Sequence, residues 1–240
     1  GSCFIKQQYN MDKFSIQSLL TETAQKEEKD GFFELENPYT LELNLKNQRV
    51  MLKKGAMVAY AGDVKFEREG ILSKGLGNIL KKAVSGEGTS MMKTEGTGRV
   101  YAADYGKRIR LLHLENESIN VNGNDVLAHE ETIMSNIKMM KSVAGMMGGG
   151  LFQVNLSGTG YIAITSHGTP LTLLVKPGQP VFTDPNATVA WSGNLTPSIK
   201  TDISLKTLIG RGSGESFQMK FEGDGWVIIQ PYEESYAAGE

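Results

Sequence analysis

The stretch Gly148-Gly-Gly-Leu-Phe-Gln-Val-Asn-Leu-Ser-Gly158-Thr-Gly160-Tyr-Ile-Ala-Ile164 decides the fold, because two near-copies of it stand elsewhere in the chain. Leu151 to Leu156 and Tyr161 to Thr165 are apolar, β-prone runs, and Gly158-Thr159-Gly160 between them can take positive φ without a Cβ clash. The pattern predicts a β-hairpin that turns at the glycine pair. Its relatives are Ser90-Met-Met-Lys-Thr-Glu-Gly96-Thr-Gly98-Arg-Val-Tyr and Phe217-Gln-Met-Lys-Phe-Glu-Gly223-Asp-Gly225-Trp-Val-Ile. The first glycines of the three pairs are 62 and then 65 residues apart. Gly96, Gly98, Gly158, Gly160, Gly223 and Gly225 are thus the predicted structural turns.

A second element recurs upstream of each pair. Leu45-Lys-Asn47-Gln-Arg-Val50-Met-Leu52-Lys-Lys-Gly55-Ala-Met-Val58 matches Leu114-Glu-Asn116-Glu-Ser-Ile119-Asn-Val121-Asn-Gly123-Asn-Asp-Val126. Leu173-Leu-Val175-Lys-Pro177-Gly178-Gln-Pro-Val181 is a looser third copy, in which Pro177 and Gly178 mark the turn. Thr40-Leu-Glu-Leu-Asn-Leu45 alternates apolar and polar residues with the period of a half-exposed strand.

The third element has helical spacing. Ile71, Leu72, Leu76, Ile79, Leu80, Ala83 and Val84 recur at intervals of three and four, and Ile137 to Ala144 and Leu205 to Ile209 repeat the pattern over fewer turns. Lys81 lies 15 residues before Gly96, while Lys141 and Lys206 each lie 17 before Gly158 and Gly223. Glycine clusters follow each segment, as where a helix reverses into a strand. Three elements in one order, three times over, predict an all-β domain with a threefold internal pseudo-repeat and short inserted helices. Each unit has one apolar sheet face to hide, and three units can hide their faces together.

The 240 residues divide into an N-terminal tail and lead-in (1–31), one β domain (32–233) and a C-terminal tail (234–240). The net charge of −2 argues against bulk binding to nucleic acid, which needs many cations to displace counterions. The single cysteine, Cys3, cannot form an internal disulfide, so packing must stabilise the fold and a reducing, cytoplasmic setting is expected. No apolar run reaches the roughly 18 to 20 residues of a spanning helix.

The succession Gly55-Ala-Met-Val-Ala-Tyr-Ala-Gly-Asp63-Val-Lys-Phe-Glu67, a Lys-bearing helical segment, Gly86-Glu-Gly-Thr89 and then Gly96-Thr-Gly98 resembles the altered-inheritance-of-mitochondria protein twenty-four family, over about Phe32 to Pro231. The resemblance implies a fold similar to the tryptophan RNA-binding attenuation protein (TRAP), a variant of the double-stranded β-helix, and self-association. The family's bacterial members have long been catalogued as a domain of unknown function, and its eukaryotic members are linked to mitochondrial inner-membrane organisation. The N-terminus here is not Arg-rich as a mitochondrial presequence is, so that role is not carried over. The family brings no catalytic motif.

The residues suggest no enzyme either. His129-Glu130-Glu131 places only His129 and Glu131 on one strand face, too few ligands for a metal. Gly210-Arg-Gly-Ser-Gly-Glu-Ser216 lacks the Lys-Ser/Thr ending of a phosphate-binding loop. No nucleophile elbow is present. Lys107-Arg108-Ile-Arg110 beside Tyr105 is a small basic cluster, read as a solvated edge strand before an RNA stripe. Met134, Met139, Met140, Met146 and Met147 form an adaptable apolar segment. No catalytic residue, cofactor or metal ligand is therefore expected. The expectation is a non-catalytic homo-oligomer, a trimer by preference, serving as a scaffold or interaction protein. Leu76, Leu80, Lys81, Met140, Lys141, Lys206 and Leu208 are its candidate contacts with a protein partner or an anionic membrane surface. The alternative is a small-ligand or RNA binder with sites between subunits.

Overall fold

A computed structural model describes residues 13–26, 31–68, 91–139, 152–201 and 217–234. The chain divides into two compact units, residues 1–30 and residues 31–240. In the first, helix α1 (Ile16–Glu22) starts at Ser15, whose hydroxyl accepts a hydrogen bond from the Ser18 N–H at 3.1 Å and so satisfies one free amide of the first turn. Phe14, Ile16, Leu19 and Leu20 on this short lead-in are exposed.

The second unit is built of antiparallel strands in three groups. In the first, β1 (Phe33–Asn37) pairs with β2 (Thr40–Lys53), and β4 (Met91–Ala102) lies between β2 and β3 (Met57–Arg68). In the second, β8 (Phe152–Ser166) lies between β5 (Arg108–Asn122) and the successive strands β6 (Val126–Glu130) and β7 (Met134–Met139). In the third, β14 (Gly225–Ile229) lies between β9 (Leu171–Val175) and β11 (Thr188–Ser192). Beside it β13 (Phe217–Phe221) lies between β10 (Val181–Thr183) and β12 (Ser198–Thr201). Two short ladders join the groups, β2 to β6 and β5 to β11. Among the described residues the long sheet therefore ends at β3 on one side and β9 on the other.

Alternation explains the packing. Leu41, Leu43 and Leu45 of β2 meet Val100 and Leu127 in one buried cluster. Ile119 and Val121 of β5 meet Leu156, Ile162 and Val189 in a second. Val175, Trp191, Met219, Phe221 and Val227 form a third. Glu42 lies on the opposite face of β2 from its leucine neighbours and is also buried; burial first, then a hydrogen bond with Glu36, raises its pKa, while Arg99 at 3.7 Å works the other way.

The glycine pairs do not turn. Gly96 and Gly98 lie inside β4, Gly158 and Gly160 inside β8, and Gly223 and Gly225 flank the break between β13 and β14, which do not pair with each other. The physical reason is close approach of two backbones. A Cβ on Gly96, where φ is +134°, would lie 2.1 Å from the Asp63 carbonyl oxygen on β3. Across β2, Asn47 forms a one-residue bulge at φ +54°, and its N–H donates to Thr97 Oγ1 at 3.1 Å. Asn116 on β5 repeats this at φ +55°, donating to Thr159 Oγ1 at 2.9 Å. The threonine between the glycines thus holds a bulge that the sequence reading took for ordinary strand.

Two further expectations change. Ile137 to Met139, read as the start of a helix, belong to β7 and pair with Phe152 to Val154. Lys176 to Gln179 forms the expected turn between two strands, β9 and β10, closed by a Lys176–Gln179 bridge, but those strands pair with other neighbours and the turn is not the counterpart of the one at Gly123. That counterpart is the 3-10 segment Pro185–Ala187, where Asp184 Oδ1 accepts the Asn186 N–H at 2.7 Å. In the second group the segment is Gly123–Asp125, where Asn122 Oδ1 accepts the Asn124 N–H at 3.2 Å. The other predicted helical segments lie outside the described residues.

Gly96→Ala is expected to destabilise the protein by about 3 kcal/mol, since both the conformation and the Asp63 carbonyl oppose a Cβ. Gly55→Ala, at φ +82° in open space, is expected to cost only about 1 kcal/mol. Denaturant unfolding of the two variants measures the difference.

Candidate functional site

Two polar constellations occur in the second unit. The first is an open cleft of about 700 Å³ where the first and second strand groups meet, lined by Gln48, Arg49, Lys65, Glu95, Glu130 and Glu131 among others. Arg49, at the bulge of β2, donates from Nε to Glu95 Oε2 at 2.8 Å and from Nη1 to Glu131 Oε1 at 2.7 Å. These hydrogen bonds, Glu95 first, raise the Arg49 pKa. The guanidinium is thereby committed to carboxylates of the protein. Glu130 Oε2 accepts the Tyr161 N–H at 2.9 Å and lies where a Cβ on Gly160 would stand. His129 is buried, its Nδ1 set 2.8 Å from the Glu130 carbonyl. His129 and Glu131 therefore do not converge; one faces the interior and the other Arg49. Among the described residues no group of three or more His, Cys, Asp and Glu is placed to hold a metal.

The second constellation is buried and charged. Lys107 Nζ lies 2.7 Å from Asp125 Oδ1, 2.9 Å from Glu234 Oε1 and 3.8 Å from Asp104 Oδ2. Lys53 Nζ donates to Asp104 at 3.0 Å and to the Asn124 carbonyl at 2.8 Å, and Thr165 Oγ1 donates to Asp104 Oδ2 at 2.9 Å. Burial, the largest single influence on Lys107, favours loss of its proton, but Asp125, Glu234 and Asp104 together outweigh it and the net shift is upward. Burial pushes the Asp125 pKa up to about 7 against the pull of Lys107, and its Oδ2 accepts no hydrogen bond from a described residue.

This cluster fastens the chain's end. Glu234 also lies 3.2 Å from His167 Nε2, the His167 and Tyr232 rings stand 3.9 Å apart, and the Glu234 N–H donates to the Asn186 carbonyl at 3.0 Å. Glu234, placed in a tail by sequence reading, is thus part of the fold. Lys107 corrects the reading of the basic cluster as well. It is buried among carboxylates, while among the described residues Arg108 to Arg110 pair with β8 alone, the ladder from β5 to β11 lying further on at Ile119 to Val121. Arg108 lies 6.0 Å from the Tyr39 ring, and Arg110 donates to Ser166 Oγ at 2.9 Å, its pKa lowered by burial and then by Arg108. Sequence reading missed the cluster because its members come from five separate segments. The Asn122-Gly123 turn, which precedes Asp125, is the signal that could have pointed near it.

The candidate contacts Leu76, Leu80, Lys81, Met140, Lys141, Lys206 and Leu208 lie outside the described residues. The structural glycines lie within them, at the close approaches given above.

Fold and polar sites together define an antiparallel all-β protein whose two polar constellations are held by ion pairs within the chain. The family model described as Mitochondrial biogenesis AIM24 matches residues 33–232, and the chain belongs to that family. The crystal structure of protein SPYM3_0169 from Streptococcus pyogenes is similar, with a TM-score of 0.66 at 25% sequence identity, covering 84% of this chain and 92% of that one. No curated protein matches the chain. Among the described residues no helix is long and apolar enough to cross a membrane.

A proton bound to Asp125 in the folded state at a pH where the unfolded chain has lost it ties stability to pH. Its pKa is raised on folding, so the folded protein holds more protons between about pH 4 and about 7, and this group's stabilisation is lost as pH rises through that window. Wild type is therefore expected to lose stability relative to Asp125→Asn from pH 4.5 to 7.5, with a constant difference above. Urea unfolding of both proteins across that range measures it.

Proposed function

We propose that the chain is a non-catalytic, cytoplasmic scaffold or interaction protein that works as a homo-oligomer, a trimer by preference. In this reading its strands form a TRAP-like variant of the double-stranded β-helix with three internal units. Register supports the three units more strongly than sequence similarity does. Five residues after the first glycine of each pair, Tyr101, Ala163 and Ile228 face Ala59, Ala128 and Ala190. A bulge precedes each alanine, at Val58, Leu127 and Val189. Two residues before the same glycines, Thr94, Leu156 and Phe221 face Val50, Ile119 and Val181. Loops of different lengths leave these positions in step.

The observation that carries the oligomer is the difference between the units. Leu127 and Val189 are fully buried, whereas their counterpart Val58, on the terminal strand β3, is 60% exposed. A large apolar residue left open at a position covered twice over elsewhere fits a surface completed by association. Native mass spectrometry is expected to give a whole multiple of the chain mass, with no added ligand; a monomer at micromolar concentration overturns the scaffold reading.

The membrane version of this function rests on the basic segments. Replacing Lys81, Lys141 and Lys206 together by Glu is expected to abolish binding to anionic liposomes while circular dichroism stays unchanged. Equal binding by the variant removes that version and leaves a protein partner. The cleft beside Arg49 favours the second reading, a small-ligand binder, and a reproducible extra mass per subunit in the same native spectrum supports it.

A further inference from the structure

The reading of three units with self-association leaves open which surfaces meet, and the two ladders between groups supply a template. In the first, Val50, Met51 and Leu52 of β2 face Glu130, His129 and Ala128 of β6. In the second, Ile119, Asn120 and Val121 of β5 face Ser192, Trp191 and Ala190 of β11. Each ladder is three residues long. Each joins the first strand of one group to the residues that begin at the marker alanine of the next.

Among the described residues a third such ladder is not formed. Its two halves are present: Val181–Thr183 (β10) stands where Val50 to Leu52 and Ile119 to Val121 stand, and Ala59 to Ala61 stand where Ala128 to Glu130 and Ala190 to Ser192 stand. Among the described residues β10 pairs only with β13, and β3 only with β4. The middle residues show what is absent. Met51 and His129 are 8% and 4% exposed and Asn120 and Trp191 are 1% and 2%, but Phe182 and Tyr60 are 49% and 51%. Pro180 and Pro185 bracket β10 and have no N–H to donate, which confines any added strand to about three residues, as in the two ladders already made.

We propose that a second copy of this chain completes the third ladder. Val181, Phe182 and Thr183 of one copy pair antiparallel with Ala61, Tyr60 and Ala59 of the next, and Phe182 packs against Tyr60. The contact is head to tail, since the two halves are different surfaces, so copies add in one direction until a ring closes. Closure gives every copy two such contacts, and a three-residue ladder that is weak singly then holds through avidity. The inference rests on the three-unit reading and specifies its interface.

The test uses full-length chain carrying Cys3→Ser. One preparation adds Tyr60→Cys and another Phe182→Cys; the two are mixed, allowed to exchange subunits and treated with a short bis-maleimide. The expected result is a covalent pair containing one chain of each kind, with neither preparation cross-linking alone. An oligomer that persists by light scattering without the mixed pair overturns this interface while sparing the scaffold. A monomer overturns both. A chain carrying both cysteines that links only within itself shows closure inside one copy and overturns the partner proposed here. As a second measurement, Tyr60→Lys is expected to shift the mass to monomer with its circular dichroism unchanged. Adding Phe182→Glu in the same chain is expected to restore the oligomer through an opposite-charge pair; an oligomer indifferent to both changes overturns the proposal.

Discussion

The constraint on which the rest of the structure depends is the close approach at the glycine pairs, which at Gly96 and Gly98 brings two backbones together. A central strand hydrogen-bonded on both sides must bend to follow a curved sheet, and it bends where Gly96 leaves no Cβ against Asp63 and where Thr97 holds the bulged Asn47. The bulge strengthens the local twist and redirects β2, so that Leu41 to Leu45 and Val50 to Leu52 serve one core from both halves of the strand. Asn116 and Thr159 do the same for β5. In the third group Asn194 Nδ2 donates to the Asp224 carbonyl at 2.8 Å, and the strands there are split into shorter pieces.

Much of this architecture was legible in the sequence, though for a partly mistaken reason. Three Gly-x-Gly pairs at near-equal spacing, each downstream of a Leu-x-Asn or a related strand, marked all-β structure. The same glycines suggested hairpins because positive φ is shared by tight turns and by bent strands at close approach, and local sequence does not separate the two. What separates them is a partner strand: Ala61 to Val64 lie some thirty residues upstream of the glycines they crowd. Pro177-Gly178 does form the turn its residues signal, between β9 and β10, but the counterpart of the Gly123 turn is the weaker Asp184-Pro-Asn sequence.

The polar sites were less legible, because charge neutralisation is a property of three-dimensional neighbours. Lys107 beside Arg108 and Arg110 looks like a basic stripe when read along the chain. In the fold Lys107 is drawn inward by Asp125, Asp104 and Glu234, which arrive from a 3-10 turn, the loop after β4 and the chain's end. A buried ion pair of this kind is poor evidence for net stability, although removing one member would leave an uncompensated charge. Burial raises the Asp125 pKa against the pull of Lys107.

A tandem of similar units solves the edge problem of β-sheets internally but cannot solve it at its ends. On the proposed three-unit reading every junction consumes one edge from each unit, so the two ladders already made leave one edge of each kind. Such edges must be blunted or used. The prolines around β10 blunt that edge everywhere except at Val181–Thr183, and no corresponding proline interrupts β3. Aromatic side chains then occupy the centre of the window that remains, where a blunted edge calls for lysine or another charge. Protection around a short apolar gap limits register as well as aggregation, and in the proposed assembly it is what would let copies add without pairing at random.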